Sequence, residues 1–209
     1  MQPTQELIER IMSLELSMFQ NVHGSDGRAS CQNDPETFRI MRKSQFITWT
    51  AQILESYYKD LQTAEHDKRN LLSEKYAFMM ESTHPKEFAG IRHMLPVLPA
   101  HFCVLRENIA TNYMFWEQEL TKNYPHLKAQ GRPSFSKQDI FGITSVETYL
   151  RGELSTYSLT TLQKLLEYTN ACRKKGRNLA EETLAETMVH YGFASIQEGE
   201  AWAAANAKK

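Results

Sequence analysis

Apolar residues recur three or four positions apart along almost the whole chain, a spacing that places them on one face of an α-helix. Leu7, Ile11, Leu14 and Met18 form the first such face, in a helix predicted from about Thr4 to Val22. No stretch alternates strictly enough, over enough residues, to predict a β-sheet. We therefore expect a mainly α fold, an irregular bundle of roughly seven to nine helices in a single domain.

Prolines and capping residues indicate where these helices begin and end. Asp34 followed by Pro35 predicts the start of a second helix, which should run to about Thr63. Pro99 suits the first turn of a long helix that reaches about Tyr124. Residues 124–143, YPHLKAQGRPSFSKQDIFGI, form the longest segment without helical periodicity and are predicted to be a loop or lid.

Charge, length and motif content limit the classes of partner. The 209 residues include 24 Lys plus Arg and 25 Asp plus Glu, a formal net charge of -1, so no overall field attracts nucleic acid or a membrane surface. The first residues lack the apolar stretch of a signal peptide or membrane span. We expect one cytoplasmic domain over residues 1–209 with a small-molecule substrate and no nucleic-acid or membrane partner. Homo-oligomerisation stays open, and no motif such as GxGxxG or HExxH identifies a cofactor.

The stretch from Gly27 to Trp49, GRASCQNDPETFRIMRKSQFITW, brings many polar and reactive side chains to one helix start. Phe38, Arg42, Gln45 and Trp49 follow one another at spacings of three and four, so they share a helix face. The Arg42 guanidinium offers a planar fork for a carboxylate, and Gln45 can donate and accept hydrogen bonds. This face predicts a pocket for a polar ligand. Alternatively, Arg42 pairs with a carboxylate of a neighbouring helix while Phe38 and Trp49 lie in the core.

Cys31 lies just before this helix start and close in sequence to Arg28. The helix dipole and the guanidinium would both lower the pKa of its thiol, which favours a thiolate nucleophile. The competing interpretation is a buried structural cysteine, because the sequence assigns no base to it. The candidate substrate-binding residues of the chain are Arg28, Gln32, Asp34, Arg42, Gln45, Trp49 and Glu147.

A second cluster, TSVETYLRGELSTYS, is rich in hydroxyl groups and supplies Glu147 and Tyr149 as candidate acids, bases or substrate contacts. Thr144 and Glu147 also match the pattern of a capping box, which is the structural alternative for this glutamate. Glu81 follows two methionines and is predicted to be partly buried. The candidate catalytic residues are Cys31, Glu81 and Tyr149.

One pair of residues has the spacing of metal ligands in a helical bundle. Glu81 and His84 form an ExxH pair, to which a carboxylate such as Glu15 could be added from another helix. Di-iron bundles normally use two such pairs, and this chain has one; Pro85 also indicates that His84 is leaving the helix. No metal is therefore predicted, and Glu81, His84 and Glu15 are the ligands expected if one is bound.

Three strings point to a known family: GRASCQNDPETFRIMRKSQFITW, EKYAFMMEST and TSVETYLRGELSTYS. In this order, and across nearly the full length, they resemble the bacterial domain-of-unknown-function family 4125. The resemblance implies a compact, mostly helical cytoplasmic protein. It implies no activity, cofactor or catalytic residue.

These features favour an enzyme that acts on a polar, carboxylate-bearing metabolite in a pocket between helices, as a lyase, hydrolase or transferase. One alternative is a non-catalytic helical module that binds a ligand or a protein. A further alternative is a metal-dependent helical-bundle enzyme that uses carboxylates and histidine. The enzyme hypothesis requires Arg28, Cys31, Arg42, Gln45 and Glu81 to line one concavity.

Overall fold

The computed structural model describes residues 3–23, 27, 30–140 and 142–207. In these ranges the backbone forms eleven α-helices and no β-strand, with one isolated bridge between Ile140 and Ile143. The helices are α1 (Pro3–Gln20), α2 (Pro35–Ile47), α3 (Ala51–His66), α4 (Leu71–Thr83), α5 (Pro85–Ile91), α6 (Ala100–Asn123), α7 (Pro125–Ala129), α8 (Val146–Leu154), α9 (Leu159–Lys174), α10 (Leu179–His190) and α11 (Ile196–Asn206). Short 3₁₀ turns occupy Ser30–Asn33, Arg92–Met94 and Ser136–Gln138.

The mainly α fold is confirmed, but the expected number of seven to nine helices is wrong. The predicted second helix is divided after Ile47, because the Thr50 side chain caps a new helix by accepting from the backbone N–H of Ile53 at 3.4 Å. The other extra helix, α7, has only five residues and begins at Pro125. A helix this short is hard to recognise from apolar periodicity, which needs several turns to show.

Side-chain caps begin most of the longer helices. Asp34 accepts from the N–H of Thr37 at the start of α2, and Ser158, Asn178 and Ser195 do the same for α9, α10 and α11. The predicted cap at Thr144 is one residue too early, since Ser145 accepts the N–H of Thr148. Each such cap contributes about 1 kcal/mol.

The main hydrophobic core lies between α1, α3, α6, α8 and α9. Leu54, Leu61, Ile109 and Leu162 are fully buried in it, and burial of a side chain of this size stabilises the fold by roughly 1.5–3 kcal/mol. A smaller core joins α6, α10 and α11. None of the described helices is long and apolar enough to cross a membrane.

Residues 124–143, the predicted loop or lid, are held to the bundle at both ends. The Glu200 carboxylate of α11 accepts the backbone N–H groups of His126 and Leu127 at 2.9 and 2.8 Å. Near the other end, the Ser82 hydroxyl of α4 donates to the Asp139 carboxylate at 2.6 Å. These bonds fix the ends of the segment, and a lid function stays a prediction.

Helices α4 and α8 approach closely at Gly152. A methyl group added there would lie 2.7 Å from Met79 Cγ and 2.9 Å from the backbone carbonyl of Lys75. The absence of a side chain at this position thus allows the residues beside it, Lys75 and Glu153, to meet across the two helices.

We predict that Gly152→Ala lowers the free energy of unfolding by about 1–3 kcal/mol, because the methyl group forces the two helices apart. Urea denaturation measures the change. Gly90→Ala is the matched control, since nothing lies within 4 Å of its added methyl group, and alanine there is expected to be neutral or slightly stabilising. Equal stability of the Gly152→Ala variant and the unmodified chain would contradict the close helix contact.

Candidate functional site

Arg42 lies at the centre of a buried group of charges. Only 6% of the residue is exposed. Its Nε and Nη2 atoms donate to the Glu15 carboxylate of α1 at 2.7 and 2.5 Å. Its Nη1 atom donates to Gln45 Oε1 at 2.7 Å and to Glu153 Oε1 at 3.0 Å. The guanidinium fork is therefore occupied by carboxylates of the protein itself.

Glu153 is the second centre of this group. Its carboxylate accepts hydrogen bonds from Lys75 Nζ at 2.6 Å, from the Tyr157 hydroxyl at 2.7 Å and from Gln45 Nε2 at 3.1 Å. On the opposite side of Arg42, the Tyr57 hydroxyl donates to Glu15 Oε1 at 2.6 Å. We call these residues the buried charge network: Glu15, Arg42, Gln45, Tyr57, Lys75, Glu153 and Tyr157.

The charges of the network compensate one another. Burial by itself would raise the pKa of the Glu153 carboxyl, but the positive charges of Arg42 and Lys75 hold this pKa well below its usual range. Burial, together with the neighbouring carboxylates, raises the pKa values of Tyr57 and Tyr157 well above the usual range. At neutral pH, Glu153 is therefore a weak base and both tyrosines are weak acids. Groups whose pKa values lie so far from neutral keep one protonation state at neutral pH and do not transfer protons.

An open cleft of about 430 Å³ lies beside the network, between α3 and the turn that joins α8 to α9. Tyr157 belongs to both, because it lines the cleft and donates its hydroxyl proton to Glu153. We call this the Ser/Thr cleft, because Ser56, Thr63, Ser155, Thr156, Ser158 and Thr160 contribute to its lining. It also contains three charged residues, Lys59, Asp60 and Arg69.

These three charged residues differ in how they are paired. Asp60 Oδ2 accepts from the Ser158 backbone N–H at 3.0 Å and from Thr161 Oγ1 at 2.7 Å. Arg69 uses Nε and Nη2 to bind Glu74, at 2.8 and 2.7 Å. Lys59 makes no hydrogen bond or ion pair with any residue in the described ranges. The cleft therefore keeps polar groups available to a ligand.

A second groove, of about 390 Å³, lies where α1, α2 and α10 meet. Arg39 and Lys43 line it from α2, and His190 lines it from α10. Glu9 and Glu36 oppose these residues with negative charge. The groove is more open than the Ser/Thr cleft, and the hydroxyl-bearing side chains that dominate that cleft do not line it.

Comparison with known proteins identifies the family. The family model described as "Protein of unknown function (DUF4125)" matches residues 5–201 of the chain. The chain belongs to this family. No curated protein and no solved structure gives a significant match. The match confirms the resemblance seen in the sequence, and DUF4125 membership carries no activity to the residues described above.

Of the predicted binding residues in this DUF4125 chain, Arg42 and Gln45 come together in the buried charge network. Trp49 packs edge-on against the rings of Tyr57 and Tyr157, with centroids 5.9 and 6.1 Å apart. Arg42 thus pairs with carboxylates of neighbouring helices and Trp49 lies in the core, which is the arrangement of the alternative interpretation.

Three of the remaining predicted binding residues, Gln32, Asp34 and Glu147, hold local structure. Gln32 is buried and donates to the carbonyls of Phe19 and Val22. Asp34 is exposed and caps α2, and the N–H of Thr37 lowers the pKa of its carboxyl. Glu147 accepts from the Ser136 N–H at 2.7 Å and from Arg151 at 2.6 Å. Arg28 and the side chain of Cys31 lie outside the described residues.

The two other predicted catalytic residues are in different surroundings. The Tyr149 ring lies under Lys75 Nζ at 3.6 Å, which places it at the edge of the network. The prediction that Glu81 is partly buried is wrong: 60% of its side chain is exposed, and it pairs with Arg92 at 3.6 Å. Because α4 ends at Thr83, Glu81 lies in the last turn, beyond the buried face of that helix. It does not join Arg42 and Gln45 in one concavity.

The residues named for a metal do not converge. Glu15 is bonded to Arg42 and Tyr57, whereas His84 Nδ1 lies 2.8 Å from Thr83 Oγ1 at the end of α4. In the part of the chain that the structure describes, no three His, Cys, Asp or Glu side chains are grouped as metal ligands would be.

Lys75 is one of the network residues that the sequence interpretation missed. It lies on the same face of α4 as Leu71, Leu72 and Met79, all of which are buried. A lysine on an apolar helix face requires a buried counter-charge, because an isolated buried ammonium is costly. The position of Lys75 on an apolar helix face is therefore the sequence feature from which a buried carboxylate partner such as Glu153 could be predicted.

We predict that Glu153→Gln lowers the free energy of unfolding by about 3–5 kcal/mol at neutral pH, because Lys75 and Arg42 then lose a buried counter-charge. Chemical denaturation measures the loss. The control is Glu182→Gln, which breaks the exposed ion pair with Arg177 and should cost no more than about 1 kcal/mol. Similar small losses in both variants would contradict the compensation of buried charges.

The network also predicts a dependence of stability on pH. Because the pKa of Glu153 is lower in the folded chain than in the unfolded chain, the ionised carboxylate stabilises the fold above its unfolded pKa, at about 4.3. This stabilisation is lost as the pH falls towards the folded pKa. Denaturation at a series of pH values should show a steeper acid loss for the unmodified chain than for Glu153→Gln. Parallel pH curves would contradict the lowered pKa.

Proposed function

We propose that the chain binds a small, polar, carboxylate-bearing metabolite in the Ser/Thr cleft. The observation that carries the proposal is a cleft of about 430 Å³ with many hydroxyl groups and two cationic side chains, Lys59 and Arg69. This volume lies in the range of ligand pockets, which are roughly 300–1,000 Å³.

Positive charge is available for the ligand carboxylate. Lys59 has no partner among the described residues, and Arg69 uses Nε and Nη2 for Glu74, which leaves the N–H groups of Nη1. Several lining hydroxyls bond to the protein itself, among them Ser155 and Thr156. Thr63 and Thr160 make no side-chain hydrogen bond with a described residue, so their hydroxyls can orient the rest of a polar molecule. Together they fit a small anion with several polar atoms.

The cleft is a better candidate than the Arg42 face on which the sequence places the ligand. A ligand carboxylate at Arg42 would have to displace Glu15 or Glu153, both of which are buried. The displaced charge would then lack a partner in a medium of low polarity, at a cost of about 3–5 kcal/mol. The network instead holds part of the cleft wall, because Tyr157 lines the cleft and donates its hydroxyl proton to Glu153.

Catalysis in the same cleft is a second candidate function. The observation that favours it is the position of Tyr157, which lines the cleft and is held by a buried carboxylate. The Tyr157 hydroxyl donates its proton to Glu153 but can still accept a hydrogen bond, and in that way it can orient a reacting group of a substrate. Turnover of a bound acid that Tyr157→Phe slows without weakening binding would support this function, whereas binding without turnover would support the binding module.

We predict that Lys59→Met weakens binding of a small carboxylic acid about tenfold or more, because the acid loses a direct charge partner. Isothermal titration of the full chain against a panel of mono-, di-, hydroxy- and aminocarboxylic acids measures the affinities. Lys43→Met is the matched control, since it removes a lysine from the second groove. The proposal fails if no acid binds, or if both lysine variants change the affinity equally.

A further inference from the structure

The Ser/Thr cleft presents a carboxylate, Asp60, as well as the cationic side chains of Lys59 and Arg69. We infer that its ligand is a zwitterion, a small molecule with an amino group as well as a carboxylate, such as an α-amino acid. This inference rests on the proposed binding function and concerns the chemical class of the ligand. It depends on the position and hydrogen bonding of Asp60.

Asp60 is fixed in place with one carboxylate oxygen still available. Its Oδ2 atom accepts from the Ser158 backbone N–H and the Thr161 hydroxyl, which anchors the side chain to the start of α9. Its Oδ1 atom accepts no hydrogen bond from a described residue. An anchored carboxylate with a free oxygen is a preorganised acceptor for an ammonium group.

Helix α3 presents both signs of charge to the cleft. Ser56 and Asp60 are four residues apart, and so are Lys59 and Thr63, so the two pairs form adjacent rows along the helix. All four residues line the cleft. Each row therefore combines one charged group with one hydroxyl, and the two rows carry opposite charges.

This arrangement discriminates between ligand classes. A simple carboxylic acid that binds Lys59 and Arg69 also brings its negative charge near Asp60, which repels it. A simple amine, which is positively charged, is repelled by Lys59 and Arg69. A zwitterion satisfies both, because its carboxylate faces Lys59 and Arg69 while its ammonium group donates to Asp60.

The test compares matched probes on the full chain by isothermal titration at neutral pH. Each common L-α-amino acid is titrated beside the acid that lacks its amino group and the amine that lacks its carboxylate; alanine, propionate and ethylamine form one such set. The inference predicts that at least one amino acid binds about tenfold or more tightly than either of its partners. This comparison needs no variant, so it does not depend on how a substitution folds.

A variant then locates the effect. Asp60→Asn keeps an oxygen that can accept from Ser158 and removes the negative charge. It should reduce the preference for the amino acid over the deaminated acid to about threefold or less. Lys59→Met should instead weaken the amino acid and the deaminated acid alike. Circular dichroism confirms that both variants fold.

The outcomes separate the two proposals. If deaminated acids bind as tightly as amino acids and depend on Lys59, the zwitterion inference is overturned and the binding function stands. If an amino acid is preferred but the preference survives Asp60→Asn, Asp60 does not recognise the amino group and the inference is overturned as well. If neither class shows binding that depends on Lys59, the proposed function fails together with the inference.

Discussion

The mutual compensation of four buried charges, Glu15, Arg42, Lys75 and Glu153, is the interaction on which the rest of the fold depends. Each charge taken alone would be costly to remove from water, because the protein interior solvates it poorly. Each therefore requires its partners at hydrogen-bonding distance. Since these residues come from α1, α2, α4 and α8, the requirement sets how four helices are placed along one another.

The aromatic residues around the network extend this constraint into the core. The Tyr57 and Tyr157 rings lie 4.8 Å apart, and each donates its hydroxyl proton to a different carboxylate of the network. Trp49 packs against both rings. The polar and apolar parts of the core are consequently joined through the same side chains, and a shift of either part would disturb the other.

Hydrogen bonds to Glu153 of the network and to Asp60 hold one wall of the cleft in place. Glu153 lies in the last turn of α8, and the turn that follows is held by Thr156, which donates to the Glu153 carbonyl at 2.8 Å. Tyr157 is held by the Glu153 carboxylate, and Ser158 by Asp60. These hydrogen bonds hold the wall of the cleft in place, so the proposed ligand would bind a preorganised surface at a lower entropic cost.

Local features of the fold could be predicted from the sequence, and contacts between distant segments could not. The caps at Asp34 and Ser158 depend on residues three positions apart, and the shared face of Arg42 and Gln45 depends on one helical turn. Arg42 and Glu153 are 111 positions apart, so a single sequence gave no means of pairing them. The cleft was missed for the same reason, because it forms only when α3 packs beside the α8–α9 turn.

A double-mutant cycle between Lys75 and Glu153 tests the compensation of charges most directly. The free energies of unfolding of Lys75→Met, Glu153→Gln and the double variant are measured by denaturation under one set of conditions. Compensation predicts that the double variant is more stable than the sum of the two single losses implies, with a coupling energy of about 1–3 kcal/mol. Additive losses would show that the two charges do not stabilise each other and would contradict the central role of the network.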